Sequence, residues 1–223
     1  MKTNQERFPD ALIGQDALID QDALIGQDAL IDQDALIGPD ARIEQGAVIG
    51  PDARIGPDAR IGQDARIGQG AVIEQGARIE QGAVIGRDAV IGRDAVIGQD
   101  ALIDQDARIG QGAVIEQGAV IEQGARIEQG AVIGRGAVIG QGAVIEQGAR
   151  IGQGAVIEQD DIYIAVIGFA DGYWKTLTRR NGILWINAGC RSFSLDDAIL
   201  HWSNKSSHHL TLALVKTAKE IFP

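Results

Sequence analysis

Between Asp10 and Gln159 the chain has no histidine, cysteine, serine or threonine. About two thirds of the protein therefore lacks a base that titrates near neutrality, a hydroxyl or thiol nucleophile, and any neutral metal ligand. Aromatic residues make up 4% of the chain, and all but Phe8 lie beyond residue 160, so the core of this stretch is not built on rings. The single cysteine, Cys190, rules out an intrachain disulfide, and its expected role is that of a small buried hydrophobe. No apolar run is long enough to span a bilayer, and Met1–Pro9 lacks the apolar segment of a signal peptide. A cytoplasmic location is expected, with a virion the alternative. The net charge is −11, and it is unevenly placed. Residues 10–159 carry 24 acids against 11 arginines, whereas residues 160–223 carry six acids and seven bases. An acidic stretch repels phosphate backbones, so neither a nucleic-acid nor a membrane partner is expected.

What fills residues 10–159 is one six-residue phrase written 25 times without interruption. Aligned on isoleucine it reads Ile-(Gly/Asp/Glu)-(Gln/Pro/Arg)-(Asp/Gly)-Ala-(Leu/Val/Arg), with isoleucine at every sixth position from Ile13 to Ile157 and alanine from Ala11 to Ala155. In extended chain, alternate side chains share a face, so alanine and isoleucine point one way and the Leu/Val/Arg column the other. Charge never enters the alanine and isoleucine columns, which marks them as the interior. The three intervening residues form a corner: Gly and Asp tolerate positive φ, and Pro39, Pro51 and Pro57 supply a fixed φ one place earlier. A helix is excluded, because a six-residue period would scatter the isoleucines around it. One such unit cannot bury its own isoleucine, but a stack of them can.

The pattern Ile-Gly-x-x-Ala-x resembles the hexapeptide repeat of left-handed parallel β-helices, the triangular prisms of the hexapeptide acyltransferases. That resemblance implies left-handedness and three hexapeptides per coil, hence about eight coils and a prism about 40 Å long at the usual strand spacing. The expected fold is mainly β: a triangular solenoid over residues 10–159, a tail or cap over 1–9, and a small α/β capping domain of βββαα order over 160–223. In the last of these, Ile162–Phe169, Tyr173–Arg180 and Ile183–Asn187 read as strands, with Asn181-Gly182 as a tight hairpin turn. Ser194 reads as the cap of a helix running to about Trp202, and a second helix covers His209 to Phe222 with Leu210, Leu214 and Ala218 on its apolar side. The tail from Thr176 to Trp202 also resembles uncharacterised phage and bacterial proteins with tandem short repeats, a resemblance that implies no activity. Single-base codon changes link the residues within each column, as recent duplication would leave them; a consensus design would give the same columns.

Taking every third repeat sorts the outward column into three faces. Face one carries Leu12, Leu30, Val48, Arg66, Val84, Leu102, Val120, Val138 and Val156, apolar but for Arg66. Face three carries Arg42, Arg60 and Arg78 in succession, with Glu44 and Glu80 placed to form a charge ladder. An apolar ribbon of this kind points to self-association, with Leu12, Leu30, Val48, Val84, Leu102, Val120, Val138 and Val156 as the candidate surface. The three tryptophans, Trp174, Trp185 and Trp202, are candidates for a contact made by the C-terminal domain. Stacked corner aspartates such as Asp16, Asp34 and Asp52 raise the question of a calcium ladder, although hydrated carboxylates are the simpler reading.

Acyl transfer and zinc-dependent carbonate chemistry both occur on such prisms within the resembled family, and both need histidine, which the repeat lacks. His201, His208 and His209 lie outside it, and nothing in the spacing of Asp171, Cys190 and His201 supports a triad. The sequence therefore favours a non-enzymatic structural scaffold that forms a homo-oligomer, with no catalytic residue, no metal, no cofactor and no small-molecule substrate. The alternative is an acyltransferase-like enzyme whose site is formed with the C-terminal domain.

Overall fold

The computed structural model describes residues 3–145, 147–157, 162–170, 173–180, 183–188, 191–203 and 209–221. Each hexapeptide contributes one two-residue strand, from β1 (Leu12–Ile13) to β25 (Val156–Ile157), made of the variable outward residue and its isoleucine. Every third strand pairs in parallel, so Leu12 lies beside Leu30 and Ile13 beside Ile31. Three sheets result, and their membership is that of the three faces sorted from the sequence. The architecture is a left-handed parallel β-solenoid of about eight coils.

Ala and Ile of successive coils form one continuous core, almost all of it buried. Each outward residue donates its N–H to the alanine carbonyl one coil on, as Leu12 does to Ala29 at 2.9 Å. The corners turn through the left-handed region: aspartates there have φ of 56–60° and glycines 62–70°. L-residues other than Asp and Asn rarely tolerate that conformation, which accounts for the restriction of this column to two residue types.

The column after isoleucine lies where successive coils approach most closely. Its N–H reaches the isoleucine carbonyl of the next coil, at 2.6–2.8 Å from glycine and 2.8–2.9 Å from glutamate. A Cβ on Gly86 would stand 2.6 Å from the backbone of Asp104 and Gln105. The glutamates add a bond that glycine lacks. Glu44, Glu74, Glu80, Glu116 and Glu122 each accept the backbone N–H of the residue 19 places on, at 3.0–3.2 Å. Gly86→Ala is therefore expected to cost about 1–3 kcal/mol through overpacking. Gly86→Glu should cost less, because its carboxylate can take the Gln105 N–H. Thermal melts of the two variants check this; equal melting temperatures would mean that the glutamate bond does not offset the overpacking.

At the N-terminal end, helix α1 (Asn4–Arg7) is closed by a capping box between Thr3 and Glu6. Phe8 packs half-buried against the first coil. The sequence reading had no place for the polar part of the cap, in which Asn4, Gln5 and Arg7 donate to carbonyls of the first coil.

At the other end, β26 (Ile162–Ala170) pairs in parallel with β23 (Val144–Ile145), so face two continues beyond the last coil. It then turns antiparallel through β27 (Tyr173–Arg180), β28 (Ile183–Ala188) and β29 (Arg191–Ser194). Helices α2 (Leu195–Ser203) and α3 (His209–Ile221) follow. The expected three strands and two helices are all present, and the short β29 joins them because Arg191–Ser194 pairs back onto β28. Arg180 pairs with Ile183, which leaves two residues to connect the strands; Asn181 and Gly182 themselves lie outside the described residues. The Ser194 hydroxyl accepts the Asp197 N–H, the cap read from the sequence. On α3 the buried stripe is Thr211, Val215 and Ala218, whereas Leu210 is exposed. That stripe is rotated from the expected Leu210–Leu214–Ala218 line, because Val215 packs with Leu177, Ile186 and Trp202 in a second core. The isoleucines of the last coil, Ile151 and Ile157, are fully buried, while Ile13 and Ile25 of the first are only partly so. Among the described residues no helix is long and apolar enough to cross a membrane.

Candidate functional site

The outer surface of face two holds an open groove of about 710 Å³ running from Asn4 across four coils. Leu18, Leu36 and Val72 form its apolar floor, and Arg54 lies between them in the ladder. Glu74 and Arg93 form one wall, and Glu74 is held by the Arg93 N–H at 3.0 Å. Its volume is that of a small-molecule site. A smaller hollow of about 370 Å³ lies on face three between Arg60, Arg78, Glu80 and Gln99. There the expected charge ladder is not formed. Glu44 and Glu80 turn to the N–H groups of Gln63 and Gln99, and among the described residues neither is ion-paired with Arg42 or Arg78. A backbone N–H exposed by the corner is the nearer and better fixed partner than a mobile guanidinium.

On face one, Leu12 and Leu102 are exposed, Leu30, Val48, Val84, Val120 and Val138 are half-buried, and Val156 is exposed. They stand in one row, in the register that the sequence implies, with Arg66 interrupting it. Trp202 is buried in the second core, 5% exposed, and so unavailable to a partner; Trp185 is half-buried. Trp174 stands in β27, and its side chain lies outside the described residues, as do Asp171, Cys190 and His208 altogether. His209 opens α3.

One histidine ring is described, that of His201 on α2. It stacks on Phe193 with ring centres 4.7 Å apart, and the edge of Trp202 meets it at 5.4 Å. Helical spacing and β29 bring these three together, which no pattern in the sequence announced. Phe193 and Trp202 also meet, at 5.1 Å, so the half-buried imidazole is one member of a three-ring cluster. Among the described residues no three His, Cys, Asp or Glu side chains gather as a metal-binding group. Several corner aspartates, Asp64, Asp88, Asp94 and Asp100, instead lay a carboxylate oxygen over the corner glycine of the preceding coil.

Comparison with known proteins bears on what this arrangement does. The model of the bacterial transferase hexapeptide (six repeats) matches residues 40–75 and again 124–159. No curated protein matches the chain. Among solved structures, it is similar to the UDP-N-acetylglucosamine acyltransferase of Bacteroides fragilis, with 22% identity, 66% of this chain and 69% of that one covered, and a TM-score of 0.53. It is also similar to the UDP-N-acetylglucosamine acyltransferase of Francisella novicida, with 19% identity, coverage of 69% and 67%, and a TM-score of 0.50. At such identities the likeness is one of fold. Nothing in these comparisons supports the resemblance of the tail to phage and bacterial tandem-repeat proteins. The expectation of a non-enzymatic structural protein with no small-molecule substrate is corrected by them: the matched model is a transferase model, and the matched structures are acyltransferases. The physical flaw in that expectation lies in its scope. A rod without a base excludes a base on the rod, not one brought to it by the C-terminal unit or by a second copy.

Proposed function

We propose that the chain is an acyltransferase in which the coil stack holds the substrates and the C-terminal unit supplies the base. The observation that carries this reading is the likeness of the coil stack to two UDP-N-acetylglucosamine acyltransferases over about two thirds of each chain. It is an argument from fold, and the chemistry must come from this chain's own side chains. His201 is the base that fits. It takes the proton of an acceptor hydroxyl as that oxygen attacks the carbonyl of an activated acyl donor, and the proton then passes to the leaving group. The groove on face two lies on the first coils, about five coil spacings from the Val144–Ile162 junction to the unit that carries His201, so it is not part of this site.

The test is direct. The intact chain is incubated with UDP-N-acetylglucosamine and a series of acyl thioesters of increasing length, and the sugar nucleotide is followed by mass spectrometry. An acylated product is expected, and His201→Gln should slow its formation by about 10²–10⁴-fold, the usual share of a general base. No product with any donor would refute the reading. A product formed equally well by His201→Gln would remove His201 from it.

A further inference from the structure

The N-terminal end of the rod is closed by side chains in place of a coil. Inside the rod, the carbonyls of Ala29, Ala35 and Ile37 accept the N–H groups of Leu12, Leu18 and Asp20 at 2.9–3.0 Å. One coil earlier, the equivalent carbonyls are those of Ala11, Ala17 and Ile19. Side chains of α1 reach them: Gln5 Nε2 donates to Ala11 at 3.1 Å, Asn4 Nδ2 to Ala17 at 3.0 Å, and Arg7 Nη1 to Ile19 at 3.0 Å. The other guanidinium nitrogen of Arg7 donates to the carbonyls of Asp20 and Gln21 at 2.6 and 2.8 Å. Two of the three strand edges, those of β1 and β2, and the corner after β2 are thus covered by three polar side chains from one four-residue helix with no buried residue. A helix that short has no stability of its own.

Around this cap stands an apolar collar. The outward residues of the first coil are Leu12, Leu18 and Leu24, one per face, at 68%, 65% and 59% exposure. The next coil adds Leu30 and Leu36 before the first arginine, Arg42, enters the column.

We propose that this end is a latent coil-to-coil interface for a second copy of the chain, held closed by residues 3–8. Shape selects the occupant. A single extended peptide could cover one face, whereas another triangular coil covers all three edges and the whole collar together. Two copies meeting end to end about a two-fold axis would run their strands antiparallel, and each edge offers both donors and acceptors to such pairing. Charge works against the union: among the described residues Glu6, Asp10, Asp16, Asp20 and Asp22 crowd this end against Arg7. The end-to-end pair should therefore form only when the cap is released and salt screens the carboxylates.

The experiment uses the full chain carrying Asn4→Ala, Gln5→Ala and Arg7→Ala, which removes the three donors and keeps the length. Sedimentation velocity and small-angle X-ray scattering are recorded at low and high ionic strength. The expected result is a mass that doubles with salt and a maximum dimension that nearly doubles, absent from the parent chain. Adding Leu12→Glu and Leu18→Glu should abolish it. Hydrogen exchange of the first-coil amides reports whether the variant is folded there. Should those amides be unprotected, Thr3→Ala, which loosens the capping box and leaves the donors in place, takes the place of the triple variant. A folded variant that keeps the parent's mass at high salt overturns the proposal, and so does one that pairs side by side without lengthening.

Discussion

Ile85→Ala should destabilise the rod by about 2–5 kcal/mol, the range for emptying a buried aliphatic site. Ile85 is 1% exposed and belongs to a core made of alanine and isoleucine alone. That composition leaves few ways to relax. The isoleucines stacked above and below, Ile67 and Ile103, are themselves locked between coils, and the backbone is held by bonds to both neighbouring coils. The loss should therefore fall toward the upper part of the range. In a stack where each coil touches only its neighbours, it should also be local: hydrogen exchange should rise around Ile67, Ile85 and Ile103 before it rises at the ends. Denaturant melts give the magnitude, and a loss below half a kcal/mol would mean that the isoleucines do not face the core.

The second large effect is expected from Val84→Arg combined with Leu102→Arg. We propose that face one is the surface through which two rods lie side by side, and these residues are neighbours at its middle. A ribbon of roughly 400 Å² per rod is small for a stable interface. Four guanidiniums facing one another across such a ribbon should abolish pairing. Arg66 stands one strand away from Val84, so the substitutions would extend an existing charge rather than introduce an alien residue type, and the fold should be unaffected. Light scattering of the intact chain, the double variant and residues 1–159 distinguishes the possibilities. An intact chain already monomeric at tens of micromolar contradicts the pairing. Dissociation by truncation alone would move the contact to the C-terminal unit, where Trp185 and the exposed Leu200 and Leu210 are then the surface to examine.

The fold was legible in the repeat because the repeat is redundant. Twenty-five copies of one phrase leave no doubt about period, and period 6 with Ala-x-Ile fixes which side is inside. The corner chemistry followed from residue type, since only Gly and Asp occupy the column that needs positive φ. What escaped was whatever depends on a single copy. The Asn4, Gln5 and Arg7 cap occurs once, and its targets are backbone carbonyls, which no side-chain pattern records. The glutamate bonds across coils were hidden for the same reason: Glu44 lies two residues from Arg42 in sequence, so the nearer-looking partner was another side chain. On α3 a spacing of four fits Leu210–Leu214–Ala218 and Thr211–Val215 equally well, and the buried threonine is chosen by packing against β-strands far off in sequence. Function was the least legible. The absence of histidine from the rod was a sound observation about the rod, while the aromatic cluster that holds His201 depends on β29 and α2 meeting in space.

The faces, the groove and the cap all require residues 18 apart to be neighbours, and one measurement tests that directly. Val72 and Val90 are Cα partners on adjacent strands of face two, whereas Val84, only 12 residues from Val72, lies on face one. In a chain with Cys190→Ser, the pair Val72→Cys and Val90→Cys is oxidised, as is the pair Val72→Cys and Val84→Cys, and the products are mapped by non-reducing peptide mass spectrometry. Adjacent parallel strands bring Cα atoms to about 4.8 Å, inside the range that a disulfide bridges. A quantitative intrachain disulfide is expected for the first pair and none for the second. A disulfide in the second pair, or its absence in the first, would contradict three hexapeptides to the coil and, with it, the faces, the groove and the cap.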